Sequence, residues 1–208
     1  MFQLNKKEAA IFKKLSTPIK IQNFLDTLPR NNEKGGDTCF SPRRVLREKK
    51  AHCIEGALLA AAALWYHGVE PLVMDLQASN EDFDHVICLY KYHGRWGAIS
   101  KTNHLGLRWR DPVYQTPREL AMSYFHEYLH DTNHKKTMRR YSVPINLKRF
   151  GEQWITSEEN LFDLAGEIDS VRHYPVAPAK NLRLVRLPDK MERRANKVLE
   201  WHKTDSRT

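Results

Sequence analysis

Residues 51–68 read AHCIEGALLAAAALWYHG, and how this stretch is read decides the fold. From Ile54 onward it is dominated by Leu58, Leu59, Ala60 to Ala63, Leu64 and Trp65, with Glu55 the only charge before His67. Apolar residues all round, rather than along one stripe, predict a helix buried on nearly all sides. Gly68 stands where a C′ residue would close it. Cys53 opens it, at the end where unpaired backbone N–H groups and the positive pole of the helix dipole favour a thiolate over a thiol. A cysteine so placed is either a nucleophile or an inert core residue, and free cysteine is more often the second.

The segment that follows shifts the balance. After Gly68, EPLVMDLQA suits a strand, the acidic loop EDFD spans Glu81 to Asp84, and His85 opens an alternating, β-branched stretch through Val86, Ile87, Leu89 and Tyr92. Gly94 makes a turn and Arg95 to Ser100 return as the partner strand. Cysteine on a helix start, histidine on a strand start and a hairpin return occur in that order. Over about residues 50 to 103 this order resembles the core of the transglutaminase-like, papain-related superfamily. There a helix carries the nucleophile, the first hairpin strand the base, and the next strand an orienting acid. The resemblance implies Cys53 as nucleophile and His85 as base. It departs from the family at the acid, because the chain reads Trp96-Gly97-Ala98-Ile99-Ser100 where an aspartate belongs. Ser100 can still accept a hydrogen bond from a ring N–H. Asn103 could do the same in the manner of Cys-His-Asn sites, with Asp111 more remote.

Composition bounds the rest. A length of 208 residues with 41% hydrophobic content fits a single domain with a sizeable core, here 1–208 with its core over about 40–130. The N-terminus carries no apolar run long enough for a signal peptide, and no segment suits a membrane span. Cys39, Cys53 and Cys88 give no disulfide framework and no zinc knuckle, so a reducing, cytoplasmic setting is the simplest expectation. Cys88, mid-strand, reads as core, and Cys39, in a polar loop, as exposed. The formal charge of +9 and pI near 9.5 could attract nucleic acid. Acidic residues interleave several of the basic runs and no stacking motif is visible, so solvated helix faces explain these runs better. The EDFD loop could recognise a cationic group, with a solvated turn the commoner meaning.

Along the chain, Asn5 to Glu8 is a capping-box pattern before a first helix. Thr17-Pro18 starts a second helix that stops at Pro29, and Ser41-Pro42 a short basic one through about Lys49. Further on, a short strand is expected around Leu105 to Trp109, and a helix from Thr116 to about His130. SVPINLKRF reads as extended or irregular. A capping box at Thr156 to Glu159 precedes Leu161, a strand candidate covers Leu182 to Leu187, and a basic helix runs from Pro188 to about His202.

A rival constellation lies on the expected helix after Thr116. His126, Glu127 and His130 satisfy HExxH, in which two histidines one turn apart ligate zinc and the glutamate serves as base. No third ligand follows at metzincin spacing, because Asn133 and Lys136 fill the places of the glycine and histidine. Ten histidines in the chain make the short pattern easy to meet by chance.

The expectation is therefore an α+β domain with a transglutaminase-like core, an antiparallel sheet packed on the Cys53 helix, and no cofactor or metal. The resemblance implies cysteine-dependent acyl transfer on a protein, peptide or amide substrate through a thioester, with hydrolysis slightly favoured over transamidation. Catalysis would fall to Cys53 and His85 with Ser100 or Asn103. The alternatives are a degenerate binding module of the same fold and a zinc peptidase.

Overall fold

The computed structural model describes residues 2–33 and 35–201. In chain order its helices are α1 (Lys6–Lys14), α2 (Pro18–Asp26), α3 (Pro42–Glu48), α4 (Cys53–Tyr66), α5 (Pro117–Met122), α6 (Gln153–Thr156), α7 (Phe162–Ser170), α8 (Ala179–Leu182) and α9 (Lys190–Asn196). The strands are β1 (Leu72–Gln77), β2 (His85–Tyr92), β3 (Arg95–Ile99), β4 (Arg110–Tyr114), β5 (Arg140–Ser142), β6 (Ile145–Asn146) and β7 (His173–Pro175). The fold is mixed α+β around an open antiparallel sheet, ordered β4-β3-β2-β1-β5-β7, with β6 also on β1. No helix among the described residues is long and apolar enough to cross a membrane.

The organising helix is α4. Ala57 to Leu64 are each no more than 3% exposed, because four alanines let the backbone sit close to its neighbours on every side. Its end is a Schellman closure, with Val69 N donating to Leu64 O, Gly68 N to Trp65 O, and Gly68 at φ +82° where a side chain would be strained. Gly56 has a different reason. A Cβ there would lie 2.4 Å from Lys101 Cβ, so only glycine lets the Lys101 stem cross the helix.

The sheet alternates between two cores. Val73, Val86, Cys88, Tyr90 and Ile99 face the layer of α4 and its neighbouring helices. Met74, Leu76, Ile87, Leu89 and Ala98 face Leu120, Tyr124 and Tyr128. With both faces covered, β2 reads as a nearly continuous apolar run. Its hairpin to β3 turns through His93 and Gly94, both at positive φ, as a two-residue connection requires.

Several expectations are corrected. No strand forms at Leu105 to Trp109: that segment crosses the sheet end, where Arg108 reaches Asp26 and Glu200, and the strand lies at Arg110–Tyr114. α5 stops at Met122 rather than near His130, because Arg110 takes the Ser123 carbonyl and the Glu127 carboxylate while Tyr124 and Tyr128 turn into the core. Thr156 to Glu159 does not cap a helix. Thr156 ends α6, Ser157 O accepts from Ser41 Oγ, Glu158 pairs with Arg47, and α7 starts at Phe162. Leu182 to Leu187 is not a strand, since β7 occupies the sheet edge beside β5 and leaves Leu184 exposed. α9 ends at Asn196, and His202 lies outside the described residues. Cys39 is buried, and burial pushes its thiol up to about 12.

Candidate active site

Cys53 is the first residue of α4 and His85 the first of β2, so the two termini set the spacing of the site. The sulfur is partly exposed in a cleft of about 380 Å³ that also takes in His52, His85, the Asp82–Asp84 loop and Asn103. Burial alone would raise the Cys53 thiol. Hydrogen bonding and charge from His52 and His85 outweigh it and hold the thiol well below its ordinary range. The Asp84 carbonyl lies 3.9 Å from Sγ.

His85 is held by Ser100. Its Nε2 is 2.8 Å from Ser100 Oγ, and Ser100 Oγ donates to the Leu107 carbonyl at 2.5 Å. A hydroxyl has one proton, and a carbonyl can only accept. The Ser100 proton is thus committed to Leu107, Nε2–H must donate to Ser100, and Nδ1 is the nitrogen left with a lone pair. A neutral side chain fixes the tautomer that a carboxylate would otherwise fix.

Gln22 secures Ser100 in turn. Its side-chain amide pairs with the Ser100 backbone, Nε2 to O at 3.0 Å and N to Oε1 at 2.9 Å, extending the sheet with a side chain from α2. Asn103 has another task. Its amide donates to Trp201 O at 2.9 Å and its Oδ1 accepts from Trp201 N at 2.8 Å, pinning the C-terminal segment beside the cleft. Asp111 accepts from Trp109 Nε1 at 2.9 Å. Of the three candidates for holding the ring, Ser100 is the one bonded to it.

The loop that delivers His85 is tied down rather than merely solvated. Ala78 N donates to Asp84 Oδ1 at 2.7 Å, Thr137 Oγ1 bonds Asp82, and Tyr128 Oη donates to Phe83 O at 2.7 Å. Burial pushes the Asp84 carboxyl up to about 6. Phe83 is left exposed at the rim.

Sequence reading did not single out His52, Gln22 or the buried role of Glu55. Glu55 has no exposed surface and accepts from Asn31 Nδ2, Thr38 Oγ1, Phe40 N and His52 N. The signal for it was present: a lone charge in an apolar helix is costly to bury unless several donors meet it.

No family model and no curated protein matches this chain. What the site can do rests on its own geometry. His126, Glu127 and His130 do not form a zinc pair on one helix face, because α5 has already ended: Glu127 pairs with Arg110, and His130 Nδ1 accepts from Thr132 N. Among the described residues, Asp75, Asp84 and Asp169 each bring one carboxylate oxygen within 4.8 Å of the others. Asp75 is already paired with His173 at 3.0 Å and Asp84 with the Ala78 amide, so local pairing accounts for most of that cluster.

Proposed function

We propose that the protein catalyses cysteine-dependent acyl transfer on an amide or peptide bond, on a transglutaminase-like core. The observation that carries this reading is a partly buried cysteine in an open cleft, its thiol held low by two imidazoles, with a histidine whose tautomer leaves a lone pair for the proton. Cys53 Sγ gives its proton to His85 Nδ1 and bonds to the substrate carbonyl carbon. The C–N bond breaks, and His85 returns the proton to the leaving amine. Water then gives a proton to His85 and attacks the thioester carbonyl, the S–C bond breaks, and a carboxylic acid leaves. An amine in place of water would complete a transamidation, and hydrolysis is slightly favoured. The Cys53 backbone N–H, at the first turn of α4, has no intrahelical acceptor and suits a developing oxyanion.

The test uses p-nitrophenyl acetate as an activated acyl donor. The wild-type protein should release a burst of p-nitrophenolate near one per chain and gain one acetyl group on Cys53, read by peptide mass. Cys53→Ala should lose both, and His126→Ala should keep both. A chain left unacetylated at Cys53 would refute the reading in favour of a binding module of the same fold.

A further inference from the structure

The carboxylate that the His85 arm lacks is found instead beside His52. His52, the residue before the nucleophile, places Nε2 3.0 Å from Thr38 O, 3.3 Å from Glu55 Oε1 and 3.6 Å from Glu33 Oε1. A carbonyl can only accept, so the contact with Thr38 O puts a proton on Nε2. His52 directly precedes Cys53 and lines the same cleft, and with Nε2 turned to Thr38 O and Glu55 the ring nitrogen left over is Nδ1. Glu55 is met by donors alone, from Asn31, Thr38, Phe40 N and His52 N, which is the environment of an ionised carboxylate. A buried carboxylate needs a counter-charge, and His52 is the imidazole in contact with it.

We propose that His52, charged by Glu55, is a second catalytic histidine that donates Nδ1–H to Cys53 and holds it as a thiolate, while His85 carries the proton of the reaction. Charge then balances within the site: Glu55 against His52, and the thiolate against the protonated His85. The directions agree with this division. Burial would lower His52, yet its bonds to Cys53 and Glu55 raise it well above the ordinary histidine range. Titratable groups that feel the Cys53 charge include Cys39 before α3, Asp75 on β1 and Tyr128 after α5, and Glu33, Asp82, Asp84, Lys101, His104 and Asp131 line the same cleft. Burial keeps Cys39 and Tyr128 neutral, so of the first three Asp75 is the one that can set a negative charge near the thiolate, and none of the three supplies a positive one.

The inference rests on the acyl-transfer reading for the fate of the proton, but the charge state of Cys53 can be measured without substrate. Iodoacetamide alkylation of Cys53, followed by peptide mass from pH 5 to 9, should stay fast at pH 6 in the wild type. His52→Gln should slow it at pH 6 by about tenfold or more, the effect of a thiol midpoint carried to about one unit above the assay pH. A His52→Gln profile superimposable on the wild type would overturn the proposal. That result would leave the acyl-transfer reading standing if His85→Gln alone abolished the acetylation burst. A shifted profile in a protein that never acetylates would do the reverse. Should His52→Gln fail to fold, imidazole 15N shifts of the intact protein decide. Both His52 ring nitrogens should be protonated at pH 7, and a singly protonated ring would sink the proposal.

Discussion

Replacing Ser100 by alanine isolates the step on which the His85 tautomer depends. The side chain is buried and bridges His85 Nε2 at 2.8 Å to Leu107 O at 2.5 Å, so the change strands one buried donor and one buried acceptor. Each costs about 1–3 kcal/mol, or about 2–6 kcal/mol together. Against a typical total of about 5–15 kcal/mol the variant should still fold, and melt roughly 5–20 °C lower for a chain of this size. Deacylation of the acetyl-enzyme needs His85 as base and then as imidazolium. Losing one hydrogen bond to a charged ring, about 1.5–3 kcal/mol, should slow deacylation roughly 10- to 100-fold. Single-turnover decay of acetylated Cys53, followed by mass, reads that rate directly. Ser100→Asp, which restores the residue expected from the family resemblance, should not rescue it. A carboxylate has no proton for Leu107 O and would set two acceptors against each other. Wild-type deacylation in Ser100→Ala, or a gain in Ser100→Asp, would refute the role assigned to this relay.

Two further outcomes follow from buried groups. Glu55 is held down to about 2, with burial opposing and His52 the main cause of the drop from an ordinary 4.5. A depressed carboxyl contributes stability that is fully present above pH 4.5 and lost as the pH falls toward 2. For Glu55 this is about 3 kcal/mol, so urea unfolding of Glu55→Gln between pH 7 and pH 3 should show a visibly flatter dependence than the wild type. Equal slopes would mean that Glu55 is not ionised in the fold. Gly56→Ala should cost about 1–3 kcal/mol by forcing Lys101 off the helix, since the added carbon would sit 2.4 Å from Lys101 Cβ; an unchanged thermal melt would contradict that packing.

The elements nearest the site were the most legible in sequence. The α4 run, Gly68, the β1 apolar run and the His93-Gly94 turn each carry a local signal of period, cap or φ, and each appears where that signal places it. Asn5, Thr17 and Ser41 also cap their helices through their own side chains. Local signals that compete with distant partners point elsewhere than the fold. The helix after Thr116 has the propensity to continue, but Arg110 takes its end and two tyrosines are drawn into the second core. Leu182 instead closes the short helix α8, and the residues after it leave Leu184 and Leu187 exposed rather than paired on the sheet.

Local sequence by itself determined that a buried helix begins with Cys53 and that a strand begins with His85, because caps and periodicity act over a few residues. Tertiary structure decided which groups meet the sulfur and the ring. Gln22 from α2, Leu107 from a loop and the His52–Glu55 pair became parts of the site through contacts that no local pattern encodes. The physical reason is that a buried proton or charge is settled by every donor and acceptor around it, and those arrive from across the chain.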